Sequence, residues 1–412
     1  MKLNQNWRNF VMNQCVNSEV VRLVADVRSE LTTHILPFWM NRMVDHEKGG
    51  FYGQITGEGE LNSNADKGGI LNARILWTFA AAYRVLGTPA YLEMATRAKD
   101  YLLNHFVDKE YGGIYWSVDC NGKPLDTKKQ IYALGFAIYG LSEYYRATDD
   151  EEALNTAIRL FHAIEQYSFD PVCGGYFEAF TREWGIIEDM RLSDKDANEK
   201  KTMNTHLHIL EPYTNLYRVW KTPVLAEALR RLITIFLERI LDRKTMHLNL
   251  FFDEQWNCKS HIVSYGHDIE ASWLLHEAAL VLGDAELLSK VEHVVKGIAE
   301  AAAEGLWYDG SLIYERDSIT GHCDEERHWW PQAESVVGYF NLYQHWGDED
   351  GLKHALKGWE YIRENLIDME DGEGYWSRRA CGHINLTDDK AGFWKCPYHN
   401  GRMCLELIER TR

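Results

Sequence analysis

Removing a proton from carbon near neutral pH and returning it calls for a base that titrates there, and histidine is that side chain. His206, His208, His267, His328 and His399 all fall at or just before the starts of apolar helical runs, with Glu270, Glu334, Arg74, Tyr132, Gln130, Asn72, Asn204 and Asn400 in equivalent places. His267 and Glu270 are three residues apart, so on a helix they share a face, and we expect a hydrogen bond in which the carboxylate fixes the ring's tautomer. A salt-bridged helix start is the plainer reading of that pair. Arg74 sits in the apolar run Ile-Leu-Asn-Ala-Arg-Ile-Leu-Trp. A buried arginine is rare unless paired, so it calls for a structural carboxylate or a substrate oxygen. Asn204 and His208 are four apart and share a face if the helix has begun. Pro212 would leave the carbonyl of residue 208 without its bond, which predicts a kink or a later helix start. Trp329-Trp330-Pro331 reads as the end of a loop, with the proline opening the next helix; Trp330 and Trp394 serve there as wedges or as flat platforms for the C–H face of a sugar.

These residues need elements that bring them together. A Gly-rich turn with an aromatic and alternating residues recurs six times, at 49–53, 111–116, 173–178, 248–253, 305–310 and 372–377, and each copy reads as a hairpin. Amphipathic patterns precede the hairpins, as in 89–104, 150–166, 223–241, 284–304 and 349–365, and suit solvent-facing helices. Runs richer in Ala, Gly and aromatics follow them at 70–86, 131–146, 208–220, 267–282, 333–346 and 399–410, and suit helices buried on most sides. Six outer and six inner helices closing on themselves make an all-α fold, an (α/α)6 barrel with short β-hairpins at the rim, over a single catalytic domain spanning 1–412. Two tandem all-α domains are the alternative, against which stands the lack of a Pro/Ser-rich linker. Parallel inner helices would deliver all the residues named above to one mouth.

Composition removes several classes of function. Sixty-two acidic against forty-four basic residues give a formal charge of −18, which excludes nucleic acid as a main ligand. No run approaches the length of a membrane span. The start lacks an apolar leader, and the eight cysteines are scattered without a C-x-x-C pair, so free thiols, a cytoplasmic location and a monomer are expected. His206-x-His208 is the one hint of a metal pair, but there is no His-Glu-x-x-His and no third ligand. No Walker loop or G-x-G-x-x-G is present either, so no metal and no nucleotide cofactor is expected.

Asn72-Ala-Arg-Ile-Leu-Trp-Thr-Phe, Asn204-Thr-His-Leu-His-Ile-Leu-Glu, Ser264-Tyr-Gly-His-Asp-Ile-Glu, Trp329-Trp-Pro-Gln-Ala-Glu and Trp394-Lys-Cys-Pro-Tyr-His-Asn together resemble the N-acylglucosamine 2-epimerase superfamily, and within it the cellobiose 2-epimerase branch. The resemblance spans essentially the whole chain. It implies an (α/α)6 barrel that needs no cofactor and acts on the reducing-end glucose of β-1,4-linked disaccharides such as cellobiose or lactose. Carried over by motif, it makes His267 and His399 catalytic with Glu270 beside the first. It makes Arg74 and His208 substrate-orienting, Tyr132, Asn204 and Asp196 binding residues, and Trp330 and Trp394 sugar-stacking.

The residues suit that chemistry in their own right. Epimerisation at C2 of an opened aldose removes a proton α to C1=O and returns one to the opposite face, so two histidines from different helices can serve the two faces. Arg74 and His208 would stabilise negative charge on O1 and O2. The N-acylglucosamine 2-epimerase reaction itself and aldose–ketose isomerisation share the enediol(ate). An inverting glycoside hydrolase would instead need two carboxylates ~6.5–9.5 Å apart, for which Glu270, Glu334 or Asp196 could be nominated. A sugar-binding protein would give the His and Glu residues no task.

Overall fold

The computed structural model describes residues 17–412; Cys15 and the start of the chain, where no apolar leader was expected, fall outside them. Twelve helices alternate between an outer and an inner ring. The outer ones are α1 (Ser18–Glu30, continued by Leu31–Ile35 and Leu36–Arg42), α3 (Pro89–Tyr101), α5 (Glu151–Ala163), α7 (Pro223–Ile235), α9 (Ala285–Ala302) and α11 (Glu349–Asn365). The inner ones are α2 (Gly69–Leu86), α4 (Ile131–Thr148), α6 (Met203–Val219), α8 (Tyr265–Leu282), α10 (Trp329–Trp346) and α12 (His399–Arg410). Each inner helix packs on the next, and α12 packs back on α2, closing the expected (α/α)6 barrel. Helix α2 is buried at every position from Gly69 to Ala82, whereas outer helices bury one face only, as with Leu225, Ala228, Leu229 and Leu232 of α7.

Short strands fix where the inner helices begin. Lys67, Lys129, Lys201, Ser264 and Arg327 pair antiparallel with Val118, Phe180, Phe252, Glu315 and Arg378 of the following repeat, and an Ile55–Ala391 bridge links the last repeat to the first. The residue before α2, α4, α6, α8 and α10 is extended, so each of these chains turns from strand directly into helix at the same rim. Behind four of the hairpins lies one device. Asp45, Asp108, Asp170 and Asp368 each accept backbone N–H bonds within their turn and face a buried lysine, Lys67, Lys129, Lys201 or Lys390. Buried lysine is tolerable only when paired in this way.

The structure departs from the sequence reading at three helices. The sixth outer helix, α1, carries Pro37; a π-turn at Leu31–Ile35 places the Leu36 N–H on the Leu31 carbonyl and absorbs the residue that lacks a donor. Helix α6 starts at Met203, five residues before the expected start, and runs through Pro212 to Val219. Its neighbour explains the tolerance. Gly135 of α4 comes so close that a Cβ there would lie 2.2 Å from the His208 carbonyl oxygen, so the carbonyl that Pro212 leaves unbonded is covered by a glycine backbone. Helix α10 begins at Trp329, which puts Trp330 and Pro331 in its first turn rather than in a loop.

Candidate active site

His267, in the first turn of α8, and His399, the first residue of α12, pack against Trp330 with ring centroids 4.7 and 5.7 Å from its indole. A strand-to-helix turn puts His267 at the mouth, whereas His399 opens α12 after a bend at Pro397–Tyr398. Burial holds both imidazoles near a pKa of about 3, with His208 and His399 adding repulsion at His267. Both are therefore neutral at physiological pH, each with a ring nitrogen free to accept a proton.

The partner of each ring differs from expectation. Glu270 does not touch His267: its Oε1 accepts from Arg402 Nη2 at 2.6 Å, and the atom beside His267 Nδ1 is Ser264 Oγ at 2.8 Å. Three residues of helical spacing put Glu270 on the inward face of α8, where the fully buried Arg402 claims it. The carboxylate-bound histidine is His399, whose Nδ1 lies 2.7 Å from Glu334 Oε1. Arg402 also donates to that oxygen (2.6 Å), and Trp273 Nε1 donates to the other (3.1 Å). His208 has the same arrangement, with Nδ1 3.0 Å from Glu211 Oε2, while Tyr398 and Arg402 donate to Glu211 Oε1.

Three carboxylates thus surround one buried guanidinium. Burial opposes ionisation of all three. Arg402 and the His399 bond outweigh it at Glu334, and Arg402 and His208 outweigh it at Glu211, holding both below the usual range. Burial and the neighbouring Glu334 charge win at Glu270, whose pKa is raised far above normal, so it keeps its proton. An ionised carboxylate only accepts, so Glu334 and Glu211 leave the proton on Nδ1 of His399 and His208, with the Nε2 lone pair on the opposite edge of each ring.

Arg74 is buried and donates to the Tyr132 hydroxyl (2.8 Å) and to the Trp394 carbonyl (3.4 Å), with Phe136 and Tyr398 under its guanidinium at 4.1 and 4.8 Å. Among the described residues it has no carboxylate within salt-bridge range, and its Nε has no partner. The Tyr132 ring lies 5.0 Å from His208 and 6.3 Å from Trp394. Asn204, in the first turn of α6, keeps a buried Oδ1 without a partner. Asp196 stands apart from this cluster, half-buried in the loop before α6, with Oδ2 held by Ser193 N and Oγ at 2.9 and 3.0 Å.

Other residues aimed at the mouth by the sequence have structural work. His206 uses both ring nitrogens, on the Thr202 carbonyl (2.6 Å) and the Tyr176 N–H (2.9 Å), so it forms no ligand pair with His208. Asn72, Gln130 and Asn400 bond the Gly68 and Met190 carbonyls and Glu373, and His328 stacks on Tyr314 at 4.1 Å. Among the described residues one group has metal-like spacing: ligand atoms of Glu270, Glu334 and His399 lie within 4.8 Å of one another. Arg402 already occupies that position as the cation, bonded to both carboxylates, so the donor set does not suit a metal ion. Arg402, Glu211, Tyr398 and Trp273 went unnoticed in the sequence. Arg402, like Arg74, is an arginine in an apolar inner-helix run, preceding Met-Cys-Leu three residues after His399, and so needs a buried partner.

Residues 50–400 match the family model of N-acylglucosamine 2-epimerase. The chain is 64% identical over 386 residues to a cellobiose 2-epimerase of Bacteroides fragilis, covering 94% of this chain and 98% of that one. It is 43% identical over 389 residues to a cellobiose 2-epimerase of Ruminococcus albus, covering 94% and 99%. The solved cellobiose 2-epimerase of Bacillus thermoamylovorans superposes with a TM-score of 0.91 at 43% identity, covering 94% of this chain and 99% of that one. With the helical ring, the motif order and the histidine mouth all in agreement, the chain belongs to the N-acylglucosamine 2-epimerase family.

Proposed function

We propose that the protein interconverts glucose and mannose at the reducing end of β-1,4-linked disaccharides, turning cellobiose into glucosyl-mannose and lactose into epilactose. The observation that carries this reading is the pair of neutral histidines packed against Trp330, beside an arginine that has no carboxylate partner among the described residues. The relatives named cellobiose 2-epimerase support the choice of substrate.

In the opened sugar, one histidine Nε2 takes the C2 proton. The C2–H electron pair forms the C1=C2 bond, and the C1=O pair moves onto O1. Arg74, not neutralised by a carboxylate, faces that developing charge in a site screened from water, where such a donor is worth most. The N-termini of the inner helices open at the same rim and favour negative charge there. The histidine on the other face, which has taken up a proton from solvent, gives it to C2. The C1=C2 pair forms the new C2–H bond and the extra O1 pair restores C1=O. The first histidine releases its proton to solvent, giving the epimer. Glu334 fixes the His399 tautomer that makes Nε2 the base, and Glu211 does the same for His208, which with Tyr132 positions the O1 and O2 end. Protonated Glu270 completes the Arg402 cluster without adding a third negative charge. Trp330 and Trp394 carry the sugar faces; Asn204 and Asp196 bind hydroxyls, Asp196 from the outer part of the mouth.

Hydrolysis fits less well. Glu270 and Glu334 are closer than the ~6.5–9.5 Å that an inverting pair requires, and Arg402 ties both down. Incubation with cellobiose separates the readings: glucosyl-mannose without free glucose is expected, and release of glucose would contradict the assignment.

A further inference from the structure

At the end of the ring opposite the histidines lies a second cavity of about 260 Å³. It is lined where the inner helices finish, and Arg84, Arg146, Arg218 and Arg410 stand in the last turns of α2, α4, α6 and α12. Cations at helix C-termini complement the dipole, which accounts for the arginines. It does not account for the carboxylates gathered among them, nor for an open space in a fold whose interior should be packed.

The charges are laid out in ready-made pairs. Arg84 bridges Glu143 and Glu409, Arg146 contacts Glu143 and Asn215 through Nη1, Arg218 contacts Glu277 through Nη2, and Arg410 holds Glu406, Asn341 and Gln344. Among the described residues, the remaining guanidinium nitrogens of Arg146 and Arg218 have no protein partner, and neither does the second carboxylate oxygen of Glu277. Trp77, also on the wall, has a buried Nε1 without a partner.

We propose that this far cavity binds a small neutral polyhydroxylated molecule, a single pyranose or a cyclic polyol. Neighbouring positive and negative groups nearly cancel, so a lone anion or cation gains little there. A hydroxyl is donor and acceptor at once, and matches side-by-side guanidinium and carboxylate groups without breaking any ion pair. Trp77 and Tyr139 supply apolar surface for a ring's C–H face. The volume lies just under the range that holds drug-sized ligands, which suits one ring rather than two. Glu211 lines this cavity while holding His208, so the two sites share a wall.

The test uses myo-inositol, which has no carbonyl to epimerise, and saturation-transfer NMR on the intact protein with the mouth filled by saturating cellobiose. The inositol signal should persist in wild type, with a dissociation constant on the order of millimolar, as expected for so small a ligand. Leu280→Trp, at a partly exposed position on the cavity wall, should abolish the signal while cellobiose epimerisation stays at the wild-type rate. Should that variant fold poorly, Glu277→Gln keeps the volume but weakens an acceptor, and should reduce inositol affinity at least tenfold. No signal in wild type, a signal removed by cellobiose, or an unchanged signal in both variants would overturn the proposal.

Discussion

His399 and His267 both pack against Trp330, yet the walls behind them are built differently. His399 leans on Glu334, which is fixed in turn by Arg402 and Trp273. His267 leans on the hydroxyl of Ser264, which can donate or accept. A carboxylate that only accepts commits His399 to one tautomer; a serine hydroxyl follows whichever tautomer His267 adopts. The difference lies in what surrounds the bases rather than in the bases, which are both buried and both neutral. It teaches that a fixed tautomer must be imposed from outside the ring, and here the means is a guanidinium three residues along the same helix.

Breaking the Glu334 side at its root should have the largest effect. Arg402→Met leaves Glu211, Glu270 and Glu334 buried without their cation, and a loss of about 3–5 kcal/mol is expected in denaturant unfolding. Glu334→Gln keeps the shape but lets the partner of His399 donate as well as accept, so kcat should fall roughly 10²-fold or more with a smaller change in KM. Ser264→Ala, the matching change on the other wall, should lower kcat by less than about 10-fold, because no charge is lost. Equal losses in the two variants would erase the comparison. Glu270→Gln should cost least, within a few-fold of wild type, since an amide stands in for a carboxyl that already holds its proton.

A pH series sharpens the same point more gradually. The folded-state pKa values of His267 and His399 lie near 3, below the ~6.5 of an unfolded chain. The unfolded state therefore binds protons first, so their contribution to stability is complete above about pH 6.5 and is lost as pH falls toward 3. His399→Gln should flatten that part of a Tm-against-pH curve.

Much of this was legible in the residues. The Gly-rich hairpins and apolar runs give the ring, because a buried helix must be apolar on most faces whatever its neighbours. His267, His208, Arg74 and Trp330 converge because strand-to-helix turns recur at one rim, and His399 joins them from the start of α12. The pairings were harder to read. Glu270 is at hydrogen-bonding distance from His267 along the sequence, but tertiary competition from Arg402, 132 residues away, decides its partner. Pro212 predicted a break that Gly135 on another helix makes unnecessary, and in α1 a π-turn accommodates Pro37. Each of these depends on a contact between distant segments, which helical spacing alone does not encode.

The central claim is proton transfer at C2 by His267 and His399 from opposite faces. Its most direct test is the reaction of cellobiose in D2O, read by NMR at C2 of both epimers, in wild type and in His267→Gln and His399→Gln. The account predicts solvent deuterium at C2 of the glucosyl-mannose formed by wild type. Each histidine variant should lose at least the ~10²–10⁴ in turnover expected of a general base, with substrate affinity changed much less. Product formed without label at C2, together with near-wild-type turnover in both variants, would contradict it.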